Sequence, residues 1–296
     1  VSKPPGSQAS FVRMMSRTPS FTPDVRGDYV LQLVVSDGKA SSAPDRVTVR
    51  FSGEVRVFVS LLGSGTCRPW RTDGSAGGTF LLKAVDACTT PLTPTRFVPL
   101  GGKVLFSADD GANGIELWGT DGSQTGTAML ADINPGGSGS TPMDLRPLGG
   151  ALYFSADDGI RGKELWKTDG TEAGTVLVKD INPGGSSTPN DFAVLNGELF
   201  FRAYHESYGW ELWKTNGTEA GTVLVKDVNP AGSSYSYGFT ELAGTLYFGT
   251  HFHAYGASEL WKTDGTGDGT VAVKDIDPSI TNDYPVELTA FGGEMF

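Results

Sequence analysis

Three histidines fall in two loops and are the side chains best suited to hold a transition metal. His205 lies in the first loop, and His251 and His253 lie in the second. A His-x-His pair on one face of a strand can chelate such a metal. No carboxylate or cysteine completes an obvious ligand set, so an ordinary packed or solvated loop remains the alternative.

The same two loops are rich in aromatic side chains. Loops that vary on a regular scaffold are where recognition is usually built. Exposed rings above a polar surface suit sugar or protein ligands, whereas packing in the core is the alternative. We predict a ligand-binding face formed by Tyr204, His205, Tyr208, Trp210, His251, Phe252, His253 and Tyr255.

Two pairs of adjacent aspartates raise the alternative of a calcium site. Asp109 and Asp110 precede Gly111, and Asp157 and Asp158 precede Gly159. Calcium prefers clustered carboxylate and carbonyl oxygens. The sequence contains no full calcium-loop pattern, so a solvated turn competes with metal binding at both pairs, and no other cofactor is expected.

Carboxylates also recur at fixed positions, which bears on catalysis. Glycosidases need two carboxylates about 5–10 Å apart. A catalytic pair is singular, whereas these residues recur and therefore indicate hydrogen bonding within turns and between repeats. Nothing resembles a nucleophile elbow, a phosphate loop or a dinucleotide fingerprint, so we predict no enzyme. The recurring residues are Glu116, Glu164, Glu211 and Glu259, with Asp132, Asp180, Asp227 and Asp275.

The elements that position these side chains belong to an internal repeat. Each copy has a Trp, an Asp-Gly or Asn-Gly pair three residues later, and then a Gly-Thr pair. A Phe precedes each Trp, and Phe296 falls where a sixth copy would place its own. The tryptophans, spaced by 47 or 48 residues, are Trp70, Trp118, Trp166, Trp213 and Trp261.

The third copy shows four predicted strands. Period-2 alternation and β-branched residues favour strands over helices. The strands are expected at 151–156, 164–168, 175–181 and 191–195. Because such a unit is apolar on both faces, it must be sandwiched between neighbours, as the blades of a propeller are.

The predicted fold is therefore all-β: a β-propeller, or an open fragment of one, with about five four-stranded blades. A β-solenoid is the alternative, although its coils are usually shorter. The copies are expected at about 53–100, 101–148, 149–195, 196–242 and 243–290, and a sixth begins at 291–296.

Residues 1–52 lack the repeat and form a predicted partial β-sandwich segment. Asp28 to Val35 alternates, Asp37-Gly38 suits a turn, and Val47 to Phe51 is another strand. With Gly27-Asp28-Tyr29 before the first strand, this stretch resembles the C-terminal part of a PKD-type immunoglobulin-like domain. A lone hairpin is only marginally stable, so it is not expected to fold well alone.

The repeat itself resembles a known bacterial family. Residues 164–171 read ELWKTDGT, and Glu211-Leu212-Trp213 and Glu259-Leu260-Trp261 repeat the start of this motif. The chain over about 53–296 is similar to bacterial ELWxxDGT-repeat proteins, although Arg68-Pro69-Trp70 departs from the pattern. The resemblance implies a propeller-like fold and an extracellular location more than it implies an activity.

The two cysteines, Cys67 and Cys88, lie on either side of a predicted turn in the first copy. A cross-strand disulfide is plausible and fits an oxidising compartment, and two buried free thiols are the alternative. The formal net charge is −11, so the chain is not expected to bind nucleic acid. No apolar run approaches the ~20 residues of a membrane span.

These features together predict a non-catalytic extracellular or cell-surface module for adhesion or for binding a glycan or protein ligand. The alternatives are a polysaccharide-acting propeller enzyme and a calcium-stabilised structural spacer. The sequence begins at Val1 and stops at Phe296 inside a motif, so we expect a fragment of a larger multidomain chain.

Overall fold

The computed structural model describes residues 11–12, 20–21, 27–33, 45–51, 56–62, 65–90, 93–251, 259–274, 285, 287–291 and 294–295. Within these ranges the chain forms strands and turns and contains no helix. Consequently the described residues include no helix with the length and apolar character needed to cross a bilayer.

Four consecutive sheets each contain four antiparallel strands in sequence order. Blade 2 comprises Val98–Leu100, Lys103–Asp109, Ile115–Thr120 and Ala128–Ala131. Blade 3 comprises Met143–Leu148, Ala151–Asp157, Lys163–Thr168 and Val176–Lys179. Blade 4 comprises Asn190–Leu195, Glu198–His205, Gly209–Thr215 and Val223–Lys226. Blade 5 comprises Tyr237–Leu242, Thr245–Gly249, Leu260–Thr263 and Val271–Lys274.

The remaining strands are shorter or flank these blades. Blade 1 has three described strands, Arg56–Leu61, Cys67–Thr72 and Phe80–Leu81. Three two-stranded pairs are Cys88–Thr90 with Thr93–Pro94, Ala290–Phe291 with Glu294–Met295, and Phe11–Val12 with Ser20–Phe21. The predicted N-terminal hairpin pairs Gly27–Leu33 with Asp45–Phe51.

The blades pack face to face, and their first strands lie beside one another. In blades 2 to 5 the first strands therefore form the inner row, which is the radial order of a β-propeller. Each of the four main apolar clusters combines residues of two successive blades. The chain is therefore an all-β protein with propeller-type blades, and the prediction of this fold class is confirmed.

The repeated Trp and Phe side chains explain why neighbouring blades need each other. In blade 4, Phe201 and Trp213 are paired across two strands and face blade 3, where they pack near Leu165. On the opposite face of the same sheet, Phe200 and Leu212 pack against blade 5. Burying both faces removes several large apolar side chains from water, each contributing roughly 1.5–3 kcal/mol.

One predicted strand belongs to a different sheet from the one expected. The 191–195 strand was expected to close the third copy, but Asn190–Leu195 pairs with Glu198–His205 and is the inner strand of blade 4. The turn between them is Asn196-Gly197, and both residues have positive φ, 51° and 79°. This dipeptide favours a tight hairpin, so each blade begins several residues before the predicted copy boundary.

In blades 2, 3 and 4, the glutamate of the Glu-Leu-Trp motif accepts hydrogen bonds from the linker that leads into the next blade. Glu116 is buried and accepts hydrogen bonds from Ile133 N at 3.1 Å and from Ser140 N at 2.8 Å. Glu164 accepts the equivalent bonds from Ile181 N and Ser187 N, both at 2.8 Å. The prediction that the recurring glutamates serve blade-to-blade hydrogen bonding is confirmed for these copies.

A disulfide joins Cys67 and Cys88 in blade 1. The Asp86 carboxylate accepts hydrogen bonds from the backbone N–H groups of both cysteines, at 2.8 and 3.1 Å. The cysteines lie in the apolar cluster between blades 1 and 2, beside Trp118. The bridge therefore joins two segments of the irregular first copy where they pack against blade 2.

Candidate functional site: an aromatic row across blades 4 and 5

Four aromatic side chains form a continuous row from blade 4 to blade 5, which we call the aromatic row: Tyr204, Trp210, Tyr235 and His251. The ring centroids of Tyr204 and Trp210 are 5.7 Å apart, and those of Trp210 and Tyr235 are 6.5 Å apart with planes tilted by 26°. The Tyr235 and His251 rings follow at 6.4 Å. All four side chains are half-buried, so each ring packs partly against the protein and is partly exposed to solvent.

Backbone hydrogen bonds fix the positions from which these rings project. Tyr204 and Trp210 are directly opposite each other across the second hairpin of blade 4. The linker that enters blade 5 crosses the start of that hairpin, where Ser234 N and Tyr235 N donate to Trp210 O at 2.9 and 3.2 Å. His251 N then donates to Ser234 O at 2.7 Å. The row is therefore held by main-chain contacts that do not depend on a ligand.

The same backbone arrangement recurs in other blades without the rings. Thr141 N donates to Ile115 O, and Thr188 N donates to Lys163 O, each at 2.9 Å, just as Tyr235 N contacts Trp210 O. Positive φ also recurs at the three linker positions, with 49° at Thr141, 45° at Thr188 and 46° at Tyr235. The scaffold thus accepts aliphatic, charged or hydroxyl side chains here, and packing of the blade does not require aromatic ones.

Arg202 links the aromatic row to the inner strand of blade 4. Its guanidinium carbon lies 5.3 Å from the centroid of the Trp210 ring, within cation–π range. Its Nε donates to Asn190 Oδ1 at 3.0 Å, and its Nη2 lies 3.5 Å from Asp191 Oδ2. The positive charge that contacts the Trp210 ring is therefore already balanced by the Asp191 carboxylate.

The other predicted face residues divide into two groups. His205 and Tyr208 form a second ring pair with centroids 4.9 Å apart, and His205 lies 6.0 Å from Trp213 on the face toward blade 3. Tyr208 is 38% exposed. Phe252, His253 and Tyr255 lie outside the described residues.

Metal binding by the histidines gains no support from the described geometry. Ser207 N donates to His205 Nδ1 at 3.1 Å, which occupies one of its two ring nitrogens. Among the described residues, the only three potential ligand groups that lie together are Cys67, Asp86 and Cys88, and both cysteines are in the disulfide.

The aspartate pairs proposed for calcium serve their own turns. Asp109 Oδ1 accepts from Gly111 N at 2.6 Å, and Asp157 Oδ1 accepts from Gly159 N at 2.8 Å. Hydrogen bonds from the Asn113 backbone, the Ala112 backbone and the Asn113 side chain lower the pKa of Asp110. In the second pair, Asp158 accepts from the backbone of Ile160 and Arg161. These bonds explain why aspartate is favoured at both pairs.

Sequence reasoning missed a set of acidic residues on the inner strands. Asp144 and Asp191 occupy the same bulged position in the inner strands of blades 3 and 4, with φ of 58° and 56°, and Gly238 takes this position in blade 5. Glu287, with φ of 55°, lies before the pair Ala290–Phe291 and Glu294–Met295. Asp191, Gly238 and Glu287 line a cavity of about 310 Å³. Because the position and its backbone recur, we interpret these acids as part of the repeat.

Sequence reasoning also missed Tyr235, the central ring of the row. It lies in the linker before blade 5, whereas Tyr204 and Trp210 lie in the two paired strands of a blade 4 hairpin. Alignment of the copies offers a signal, since threonine stands at both equivalent positions, Thr141 and Thr188. A ring at a position otherwise held by threonine is the kind of departure that marks recognition.

Comparison with known proteins identifies no family for this chain: no family model and no curated protein matches it. Solved structures with similar folds include a prolyl endopeptidase (12% identity, TM-score 0.47). Its match includes 86% of this chain and 40% of the endopeptidase chain. A puromycin hydrolase is 16% identical with a TM-score of 0.46, and the match includes 80% of this chain and 41% of the hydrolase. TolB from Acinetobacter baumannii is 14% identical with a TM-score of 0.39, and the match includes 83% of this chain and 60% of TolB. This chain therefore spans less than two thirds of the length of each.

Proposed function

We propose that this chain is a non-catalytic, extracellular or cell-surface repeat module for adhesion, and that it binds a glycan through the aromatic row. The observation that carries the proposal is the replacement of repeat residues by rings on an unchanged backbone. Trp210 stands where blade 2 has Ile115, and Tyr235 stands where it has Thr141. Such a change costs the scaffold little and creates a surface that the other described blades lack.

Half-buried rings are well suited to sugars. A pyranose ring presents an apolar C–H face, which packs on an aromatic face, and hydroxyl groups around its rim, which need polar partners. The row supplies both kinds of group, because the Tyr204 hydroxyl beside the rings is both a donor and an acceptor. Rings fixed by main-chain bonds also lose little conformational entropy when a ligand binds.

The charge distribution favours a neutral glycan over an anionic one. Arg202, the cation in contact with the row, is already paired with Asp191. The chain as a whole carries a formal net charge of −11, which repels polyanions. A neutral oligosaccharide lying across blades 4 and 5 is therefore the ligand that this surface accommodates best.

An extracellular location is supported by the disulfide between Cys67 and Cys88, since such bonds persist in oxidising compartments. A polysaccharide-acting enzyme with a central-channel site would need acidic residues that depart from the repeat. Asp144 and Asp191 instead occupy equivalent inner-strand positions. We therefore favour binding without turnover.

A screen of the intact chain against neutral and anionic oligosaccharides tests the proposal. We expect binding to one or more neutral glycans, with an affinity that changes little as salt is added, because no free ion pair forms. Binding restricted to anionic glycans, binding to protein ligands only, or release of shortened glycan products would each contradict it.

A further inference from the structure

The repeated turn after each Trp strand carries one substitution of chemical consequence. Blade 4 has Asn216-Gly217-Thr218, whereas the equivalent turns have an aspartate before the glycine, at Asp73, Asp121, Asp169 and Asp264. An asparagine before glycine is intrinsically prone to deamidation, because no side chain hinders approach of the glycine nitrogen to the amide carbon. The Asn216 side chain is exposed.

Hydrogen bonds within the turn restrain both groups that react in deamidation, the Asn216 side-chain amide and the Gly217 backbone nitrogen. The Asn216 Oδ1 atom accepts hydrogen bonds from Thr218 N at 3.0 Å and from Thr218 Oγ1 at 2.7 Å. The Gly217 N–H, whose nitrogen is the nucleophile, donates to Thr215 Oγ1 at 2.9 Å. Ring closure must therefore break several hydrogen bonds before the nitrogen can reach the amide carbon.

Packing against blade 3 holds the turn as well. Lys167 Nζ, from blade 3, donates to Gly217 O at 2.8 Å. Gly217 has φ of 88°, and a Cβ atom added to it would lie only 2.2 Å from the Tyr153 hydroxyl, also of blade 3. The backbone at Gly217 is thus enclosed by the neighbouring blade and can rotate only if blades 3 and 4 separate locally.

We propose that Asn216 is a deamidation site and that the packing of blade 4 on blade 3 protects it. The rate at which Asn216 is converted to acid therefore reports how often these two blades separate locally. The Gly217 nitrogen loses its proton and bonds to the Asn216 Cγ, and Nδ2 leaves with that proton equivalent as ammonia, giving a succinimide. Water then opens the ring to aspartate or isoaspartate, and no oxidant or enzyme is needed.

The two products differ in how they fit the turn. Asp169 in blade 3 shows the aspartate product in place, since its Oδ1 accepts from Thr171 N at 2.9 Å and from Thr171 Oγ1 at 2.6 Å. Isoaspartate adds a carbon to the main chain and cannot keep this geometry. Aspartate is therefore compatible with a closed blade, whereas isoaspartate holds the turn open.

Peptide mapping by mass spectrometry of the intact chain, incubated in mildly alkaline buffer, tests the proposal. We compare the wild type with Lys167→Met, which removes the bond to Gly217, and with Lys103→Met as the matched control. Lys103 makes the equivalent bond one blade earlier, to Gly170 O at 3.1 Å. We expect Lys167→Met to deamidate Asn216 at least about tenfold faster than the wild type, because local opening becomes easier.

Two results would overturn the proposal: equal acceleration by Lys103→Met and Lys167→Met, or a folded wild type that deamidates as fast as the chain in denaturant. If Lys167→Met fails to fold, the wild type in urea below its unfolding midpoint replaces it. The Asn216 rate must then rise with urea before global unfolding begins. A rate that rises only with global unfolding would assign protection to the whole fold and not to this blade contact.

Discussion

The Trp210 indole and the Tyr235 phenol lie nearly parallel, with centroids 6.5 Å apart, across the boundary between blades 4 and 5. Trp210 comes from a hairpin of blade 4, and Tyr235 comes from the linker into blade 5. Two backbone N–H groups of that linker bond to the Trp210 carbonyl, so the packing of the blades sets the ring geometry. The proposed glycan surface therefore depends on the propeller arrangement itself.

The buried glutamates make stability depend on pH. Burial raises the pKa of Glu211 from its ordinary value of 4.5 to about 7, against the opposing effect of the Ser234 hydrogen bonds, and burial does the same to Glu164. A carboxyl with a raised pKa holds its proton more tightly in the folded state. Its contribution to stability is therefore fully present below pH 4.5 and is lost as the pH rises to about 7.

We expect the free energy of unfolding to fall across this window by at most roughly 3 kcal/mol for each buried glutamate. Glu211→Gln removes part of this slope, and the exposed Glu219→Gln, in the same blade, leaves it unchanged. Denaturant melts at several pH values measure both effects. Stability that rises with pH through this window, or a Glu211→Gln slope equal to that of the wild type, would contradict the assignment.

The disulfide stabilises the first blade. Replacing both Cys67 and Cys88 by serine is expected to lower the free energy of unfolding by about 2–4 kcal/mol, because the open chain regains loop entropy between residues 21 positions apart. Denaturant melts with and without reductant provide the measurement, and the double variant must not respond to reductant. Two free thiols in the unreduced, denatured wild type would show that the bridge does not form.

Calcium is expected to leave the melting midpoint unchanged. The Asp109 and Asp157 carboxylates already accept backbone hydrogen bonds within their turns, so they have little to gain from a cation. Thermal melts in calcium and in chelator make the comparison, with magnesium as the control for ionic strength. A melting midpoint that rises with calcium but not with magnesium would contradict this expectation and would favour a calcium-stabilised structural spacer as the function of the chain.

Much of the architecture was predictable because one physical requirement repeats. Trp213 and Phe201 face blade 3 while Phe200 and Leu212 face blade 5, and spacing alone revealed that both faces must be covered. The strand 190–195 was assigned to the wrong sheet because the apolar pattern does not show which neighbour a strand pairs with. The Asn196-Gly197 turn contained that information.

The candidate site was only partly predictable for a related reason. Tyr204 and Trp210 stood out because aromatic residues cluster in this stretch of the sequence. Tyr235 did not, because its closeness to Trp210 arises from hydrogen bonds between a linker and a hairpin 25 residues away in sequence. Contacts of this kind depend on how two blades pack and are not encoded in local periodicity.

The binding affinity of Trp210→Ala and Tyr235→Ala for a neutral glycan found in the screen tests the central claim most directly. We expect each variant to lose at least about 2 kcal/mol of binding free energy, as central aromatic contacts do. The control is Ile160→Ala in the hairpin loop of blade 3, where Ile160 is 83% exposed and lies outside the row. Full affinity in both aromatic variants, with folding intact, would contradict the assignment of the aromatic row as the binding surface.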